Sequence, residues 1–177
     1  YASDTTAAVP GANLTAARRE LAATGNSTAG YFGGGSPAKS TMDKVTYASD
    51  TTAAVPGANL TVERGNLAAS SARANALPTS PILFPAPSGP PTRFSDGVAS
   101  SPNTGYFGGG SPSGALMDKV TYSSDTTAAV PGANLTVARR NLAATGNSDA
   151  GYFGGGSPDT SLMDKVTYAS DTTAAVP

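Results

Sequence analysis

The chain has 177 residues, including 21 glycines and 14 prolines, and its 11 basic and 12 acidic residues leave a net charge of −1. It contains no histidine and no cysteine, which excludes Ser-His-Asp and Cys-His catalysis, imidazole or thiolate metal sites, and disulfide bonds. Leu, Ile, Val and Phe make up roughly 15% of the residues, a low share that keeps partial disorder open as an alternative.

Charge and hydropathy limit the partners of the chain. Basic residues cluster only at Arg18-Arg19 and Arg139-Arg140, so the positive surface of a nucleic-acid-binding protein is missing. No apolar run approaches the roughly 18 residues that cross a bilayer. We therefore expect no nucleic-acid partner and no membrane insertion. Because the chain begins and ends inside the same repeated sequence, we also expect it to be processed or part of a longer protein.

A repeated unit of 46 residues organises the sequence. The decapeptide YASDTTAAVP, or a copy with one substitution, begins at Tyr1, Tyr47, Tyr122 and Tyr168, which gives spacings of 46, 75 and 46 residues. The motifs GYFGGG and DKVTY recur between these starts. We interpret the 75-residue interval as two units from which 17 residues are missing, so that one of about four repeats is degenerate. The expected units are 1–46, 47–75 (degenerate and truncated), 76–121, 122–167, and the start of a further unit at 168–177.

Within a unit, short stretches of alternating apolar residues predict four strands. Turn sequences that contain glycine, proline and asparagine separate these stretches. A helix over residues 16–23 is the alternative for one of them, but the sequence aligned with it, TRFSDGVAS, is a poor helix former. The residue pairs that define the strands are Val45 and Tyr47, Leu135 and Val137, Leu142 and Ala144, and Tyr152 and Phe153.

A proline-rich stretch interrupts the repeats. Residues 77–92 contain six prolines, which favour extended or polyproline backbone and are incompatible with a helix or a central strand. We expect this stretch to form a surface connection at the start of unit 76–121. The rest of the pattern, four short strands in 46 residues, is typical of a propeller blade.

The glycine-rich motif carries a family resemblance. In TyrPheGlyGly an aromatic pair precedes two glycines, a tyrosine follows about 14 residues later, as Tyr168 follows Gly154, and an arginine comes further on. This pattern resembles the kelch repeat, and it implies an all-β array of four-stranded antiparallel propeller blades. The tryptophan of kelch repeats is replaced here by small residues, which implies lightly packed blades. Because both ends carry the same sequence, the array is expected to be an arc of a larger or multi-chain assembly.

A closer resemblance is to kelch-like repeat proteins of marine tailed viruses, particularly those that infect cyanobacteria. Strings similar to LAATGNSTAGYFGGG, found here at residues 21–35, recur in them, and the resemblance covers nearly the whole chain apart from residues 65–92. It implies a structural and interaction protein on the surface of the virus particle, in a fibre or a decoration that contacts the host. The implied partners are other virion proteins or copies of the chain itself, with host-surface glycan as a further candidate.

Three tyrosines beside the glycine-rich turns are the candidate ligand contacts: Tyr31, Tyr106 and Tyr152. Rings in such positions stack on sugars, so a glycan-binding propeller module that is not tied to a virion is the alternative function. Against this, Tyr and Phe alternate across the same short strand, which favours a role in the core.

The charged residues that recur once per unit are interpreted as structural. We expect them to form ion pairs between blades or hydrogen bonds to the backbone. They are Arg18, Arg64, Arg93 and Arg139, together with Asp43, Asp118 and Asp164.

No residue is assigned a catalytic, cofactor-binding or metal-binding role. The only glutamates, Glu20 and Glu63, occupy different positions of the repeat, unlike a matched pair of catalytic carboxylates. Kelch-fold copper oxidases need histidine and cysteine, which are missing here. Four equivalent aspartates followed by threonines are candidate calcium ligands, but Asp-Thr turns that cap their own backbone are the favoured interpretation. These are Asp4, Asp50, Asp125 and Asp171. We expect no enzymatic activity.

Overall fold

A computed structural model of the chain describes residues 6–72, 103–112 and 114–177. These residues form three four-stranded antiparallel sheets, each with its strands side by side in chain order, which confirms the expectation of an all-β chain built from such sheets. The first sheet contains β1 (Ala22–Gly25), β2 (Ala29–Gly33), β3 (Met42–Thr46) and β4 (Thr51–Ala54). The second contains β5 (Ala68–Ser71), β6 (Thr104–Gly108), β7 (Met117–Thr121) and β8 (Thr126–Ala129). The third contains β9 (Ala143–Gly146), β10 (Ala150–Gly154), β11 (Met163–Thr167) and β12 (Thr172–Val176).

Short turns with specific side chains explain the regular strand order. Between β1 and β2, the side-chain oxygen of Asn26 accepts hydrogen bonds from two backbone N–H groups that follow it, at 2.8 and 3.0 Å. Between β3 and β4, Asp50 has a φ of 50°, a left-handed conformation that Asp adopts more readily than most residues. The equivalent Asp125 and Asp171 both have a φ of 51°. The repeated SDTT sequence therefore specifies the turn that starts the last strand of each sheet.

Three of the four predicted strands per unit coincide with or overlap strands of the structure. The prediction is wrong for the stretch at Leu135 and Val137, which follows the short 3-10 helix Pro131–Ala133 and is not a strand. Leu135 is buried while Val137 is 48% exposed, so the alternation reflects one anchoring leucine in a bent segment. The missed strand is the Thr-Thr-Ala-Ala sequence, as in β4. No helix forms at 16–23, where β1 begins instead.

Three equivalent segments, here termed connecting segments, precede the sheets. They comprise residues 9–21 before β1, 55–67 between β4 and β5, and 130–142 between β8 and β9. Each contains one 3-10 turn at a Pro-Gly-Ala sequence. A proline at the start of this turn needs no hydrogen-bond donor there and already has a suitable φ.

The second sheet divides the chain differently from the expected units. Its first strand precedes residues 73–102 and its second strand follows them, yet the two pair, with Ala68 opposite Gly108. Ala22 stands opposite Gly33 in the same register of the first sheet. The 75-residue interval is therefore one unit of 46 residues that carries 29 additional residues between its first and second strands.

This pairing corrects the expected division into about four repeats. The described residues form three units, and the boundary expected between 47–75 and 76–121 falls inside the additional segment. The physical reason is that β5, which precedes the insertion, pairs with β6, which follows it, so both strands belong to one sheet. The proline-rich connection 77–92 and Arg93 lie outside the described residues.

The core lies between consecutive sheets. β1 runs beside β5, and β5 runs beside β9. Leu60 and Leu67 of a connecting segment fill the gap between the first two sheets, at 3% and 6% exposure. Other buried members of this cluster are Tyr31, Met42, Phe107, Val120 and Tyr122. The equivalent cluster between the second and third sheets contains Tyr106, Met117, Leu135, Leu142, Phe153, Val166 and Tyr168.

Candidate functional site

The recurring arginines and aspartates form one buried ion pair in each unit. The arginine belongs to a connecting segment and the aspartate to the third strand of the sheet that follows it. At most 4% of any of these side chains is exposed. The Nη2–Oδ2 distances are 3.0 Å for Arg18–Asp43, 2.8 Å for Arg64–Asp118 and 2.9 Å for Arg139–Asp164. The pairs therefore fasten each segment to its own sheet, whereas the sequence suggested ion pairs between blades or hydrogen bonds to the backbone.

Arg64 shows how the guanidinium holds its segment in place. It donates hydrogen bonds to three backbone carbonyl oxygens of the second unit, at 2.6 to 3.2 Å. Asp118 also accepts hydrogen bonds from the backbone N–H and the hydroxyl of Thr61, at 3.1 and 2.6 Å. Burial lowers the pKa of Arg64, and the charge and hydrogen bond of Asp118 oppose that shift. These contacts satisfy a structural role and leave neither charge facing solvent.

A second set of residues joins the first sheet to the second. Lys44 Nζ lies 2.8 Å from Oδ2 of Asp125, in the turn between β7 and β8, and the hydroxyl of Tyr31 donates to the same carboxylate. The rings of Tyr31 and Tyr122 stack with their centroids 4.9 Å apart. The hydroxyls of Thr24 and Tyr122 are 2.7 Å apart. These five residues are termed a junction.

The second and third sheets meet at an equivalent junction. Lys119 Nζ lies 2.8 Å from Oδ2 of Asp171, and the hydroxyl of Tyr106 donates to the other oxygen at 2.5 Å. Tyr106 stacks on Tyr168 with a centroid distance of 4.8 Å, and Ser70 replaces the threonine, with its hydroxyl 2.7 Å from that of Tyr168. The repeated sequence therefore produces the same sheet-to-sheet contact twice.

The repeated Asn-Leu-Thr sequences add a backbone contact at each junction. The side-chain oxygen of Asn59 accepts a hydrogen bond from the backbone N–H of Met42 at 3.0 Å. Asn134 accepts one from Met117 at 2.9 Å. In both cases the asparagine of a connecting segment caps the third strand of the preceding sheet, as a turn asparagine does.

The junctions shift the ionisation of their own residues. Partial burial by itself raises the pKa of Asp125, but the hydrogen bonds from Lys44 and Tyr31 outweigh it and hold that pKa below its ordinary value. Asp171 is shifted in the same direction, since the hydrogen bonds from its own lysine and tyrosine outweigh its burial. Burial, followed by the hydrogen bond to Asp125, raises the pKa of Tyr31 above its ordinary value.

The GYFGGG motif is explained by close packing rather than by a ligand. A Cβ atom on Gly105 would lie 2.1 Å from the hydroxyl oxygen of Tyr122, and one on Gly108 would lie 2.7 Å from Cε of Met117. Gly109 has a φ of 71°, and a Cβ atom there would lie 2.7 Å from Cδ2 of a leucine in the next segment. These close contacts account for the glycines of the motif.

The three candidate ligand tyrosines do not share one environment. Tyr31 and Tyr106 are fully buried in the junctions, so neither presents a ring face to a sugar. Tyr152 lies at the equivalent position of the third sheet and is partly exposed. Of the three, therefore, only Tyr152 is placed where a partner could reach its ring.

The other candidate groups are dispersed. Asp125 and Asp171 are engaged by lysine and tyrosine, Asp50 stands alone in an exposed turn, and Asp4 lies outside the described residues. Within ranges 6–72, 103–112 and 114–177, no three acidic side chains come close enough to hold a metal ion. No helix in those ranges has the length and apolar character needed to cross a membrane.

Sequence reasoning missed Lys44, Lys119 and the role of the DTT aspartates. The lysine lies in DKVTY, next to the aspartate that pairs with arginine. Its own partner is distant in sequence: Lys44 pairs with Asp125, which is 81 residues away. The available signal was the recurrence of a lysine and an aspartate once per unit at positions with no local partner.

In comparisons with known proteins, no family model and no curated protein matches this chain.

We expect the free energy of unfolding to fall as the pH rises above about 10. Four junction tyrosines have pKa values raised chiefly by burial, and the value for Tyr168 reaches about 12. In the unfolded chain a tyrosine titrates near pH 10, so the folded protein holds these protons more tightly. This contribution is complete below pH 10 and is lost as the pH rises towards the folded pKa. The four residues are Tyr31, Tyr106, Tyr122 and Tyr168.

Urea unfolding followed by circular dichroism between about pH 8 and pH 11 measures this dependence. The matched variant is Tyr168→Phe, which removes one of the four titrating groups and keeps the stacked ring. Its stability should fall less steeply with pH than that of the unmodified chain. Identical slopes for the two proteins would show that the Tyr168 phenol does not contribute.

Proposed function

We propose that this chain is a structural and interaction protein in which repeated sheets form a rigid body and the segments that vary between units contact partners. The proposal is supported by the positions of the side chains that recur in every unit. In the described residues, the side chains of the recurring arginines, the aspartates of DKVTY and two of the three glycine-rich tyrosines are buried in contacts within or between sheets. The repeat therefore serves packing, and partner contacts are left to the segments that differ between units.

The varying segments lie at one end of the sheets. They join the second strand to the third in each unit, and their sequences are SPAKSTM, SPSGALM and SPDTSLM. The backbones of the first two are held at the junctions: Leu60 N donates to Ser40 O at 2.8 Å in the first unit, and Leu135 N donates to Ala115 O at 2.9 Å in the second. A held backbone with varying side chains suits the display of different surfaces on one scaffold.

The resemblance to kelch-like proteins of tailed viruses supports a place on the virion surface, in a fibre or decoration that contacts the host. The arrangement of the sheets is compatible with propeller blades, since the first strands of consecutive sheets lie side by side as the inner strands of blades do. The resemblance and the sheet arrangement together support one proposal. The chain is an arc of kelch-like blades, exposed on a virus particle, that presents its loops to other virion proteins or to the host.

A glycan-binding module is the second candidate. It is favoured by a groove of about 230 Å³ near the varying loop of the first unit, lined in part by Arg18, Lys39 and Thr41. Of the three tyrosines that first suggested glycan binding, only Tyr152 is partly exposed. Competition of soluble polysaccharide with binding of the chain to host cells separates this candidate from a purely structural one.

Mass spectrometry of density-purified virus particles tests the preferred proposal. The tryptic peptide 74–93 is suited to identification, because its proline-rich sequence occurs once in the chain. We expect it in purified particles at a constant ratio to the other structural proteins. Its presence in lysates of infected cells together with its absence from particles would contradict a virion role.

A further inference from the structure

Among the residues that the structure describes, none covers one face of the third sheet in the way that the next sheet covers the equivalent face at both junctions. Met163 is 37% exposed, whereas the equivalent Met42 and Met117 are at most 1% exposed. Beside it lies a groove of about 200 Å³, lined by Ala143, Ala144, Thr145, Tyr152, Gly154 and Met163. Lys165 is exposed at the position that binds an aspartate in the other two sheets. These residues are termed the acceptor face.

Space for a following segment is also open on the acceptor face. A Cβ atom on Gly34 or Gly109 would meet leucine side chains of the next connecting segment within 3.3 Å. At Gly155 the described part of the chain, apart from the two neighbouring residues, places a single atom within 4 Å of such a Cβ, the backbone oxygen of Thr160 at 3.9 Å. The third sheet therefore retains the shape of a junction without the segment that fills it.

The first sheet presents the opposite half of a junction. Tyr47 is 49% exposed, whereas its equivalents Tyr122 and Tyr168 are 4% and 8% exposed. Asp50, in the same turn position as the two junction aspartates, is exposed. Leu14 is only partly buried. Tyr47, Asp50 and Leu14, with the neighbouring Asn13, are termed the donor face.

We propose that the acceptor face binds the donor face of a second copy of this chain, so that copies join head to tail. Lys165 and Tyr152 of one copy bind Asp50 of the next, and Tyr152 stacks on Tyr47, as the equivalent residues do at both junctions. The charges are complementary, because the acceptor face presents an exposed lysine and the donor face an exposed aspartate. The two faces differ, so the contact is heterologous and yields open chains or a closed ring.

The connecting segment completes the contact between copies. Asn13 accepts a hydrogen bond from the backbone N–H of Met163, as Asn59 does from the equivalent methionine of the first sheet. Leu14 fills the space beside Gly155. This assembly is independent of the partner that the varying loops contact, so it stands or fails separately from a virion role.

Sedimentation velocity of the 177-residue chain tests the proposal. We expect the weight-average mass to rise above 17.4 kDa as the concentration increases to about 1 mM, the dissociation constant of a weak contact. A chain that remains monomeric throughout this range overturns the proposal.

Two variants show whether the contact is the one proposed. Lys165→Glu places a negative charge on the acceptor face opposite Asp50 of the donor face and should raise the dissociation constant at least about 100-fold. Tyr47→Ala combined with Asp50→Asn removes the donor face, and Asn tolerates the left-handed backbone at position 50. The three substituted residues are exposed, so neither variant should lose its fold. The circular dichroism spectrum and the melting temperature check this.

Mixing the two variants is the decisive measurement. Each alone should be monomeric, because every contact between its copies needs both faces. The mixture has one intact donor face and one intact acceptor face, so it should form a 1:1 dimer and nothing larger. A mixture that stays monomeric, or a variant that still assembles alone, overturns the head-to-tail contact.

Discussion

Replacing Arg64 with methionine is expected to lower the free energy of unfolding by about 3–5 kcal/mol, the cost of leaving one partner of a buried ion pair alone. The guanidinium and the carboxylate of Asp118 are at most 1% exposed. Removing the arginine leaves the carboxylate buried without its counter-charge and strands three carbonyl oxygens that accept its hydrogen bonds. Methionine fills much of the volume, so the loss reflects charge and hydrogen bonding more than a cavity.

Arg140→Met is the matched control, because it makes the same chemical change in a connecting segment at an exposed position. Surface substitutions of this kind change stability by about 0.5 kcal/mol or less. Arg64→Lys should give an intermediate loss, since lysine keeps the charge but cannot form the planar fork of hydrogen bonds. Chemical denaturation of the three variants measures the order. A cost below about 1 kcal/mol for Arg64→Met would contradict the role assigned to the pair.

The strands that could be predicted from sequence are those with large alternating side chains. The stretches that became β2 and β3 carry an aromatic pair and a valine, and their side chains reach the core. β4 was missed because its Thr-Thr-Ala-Ala sequence has no large apolar residue and is mostly exposed. It is held by backbone pairing with β3, with Asp43 opposite Ala54. Pairing of this kind leaves no signal in hydropathy.

The number of units could not be predicted from the sequence, because the same spacing between two repeat starts can arise in more than one way. An interval of 75 residues fits two units with a deletion as well as one unit with an insertion. The choice depends on which strand lies beside the GYFGGG strand of the second sheet. That partner is the Ala-Ala-Ser-Ser stretch at 68–71, and the sequence has Ser-Ser-Ala where the counterparts in the other units have Thr-Gly-Asn.

The arginine and lysine contacts differ in how far sequence reasoning could reach. A structural role for Arg18, Arg64 and Arg139 was expected from their recurrence, and the structure supplies their partners. The lysine contacts remained hidden because each lysine pairs with an aspartate of the next sheet. For Lys44 that aspartate is Asp125, across a segment whose length differs between units. Periodicity shows that such residues recur but does not show which unit holds their partner.

Substituting the first glycine of GYFGGG is expected to affect the three units unequally. Gly105→Ala should lower the free energy of unfolding by about 3 kcal/mol, the upper end of the cost of overpacking a core. Its Cβ atom would lie 2.1 Å from the Tyr122 hydroxyl and 2.5 Å from Cγ2 of Thr24. Both groups are fixed by the junction between the first two sheets, so neither can move away without breaking it.

Gly30→Ala makes the same change at a position where the three nearest atoms belong to Tyr47 and Phe32 of the same unit, and none belongs to a preceding sheet. Its Cβ atom would lie 2.8 Å from the hydroxyl oxygen of Tyr47, which is the far end of a side chain that is 49% exposed and has room to shift. Alanine is also preferred to glycine within a strand by about 0.5–1 kcal/mol, so the net change should be close to zero. Urea unfolding at concentrations low enough to keep the chain monomeric gives both values. Because the two glycines occupy the same position of the same motif, a large difference between them isolates the contribution of the neighbouring sheet. Equal losses would instead show that the motif needs glycine for its own strand, and the junction would no longer explain the repeat.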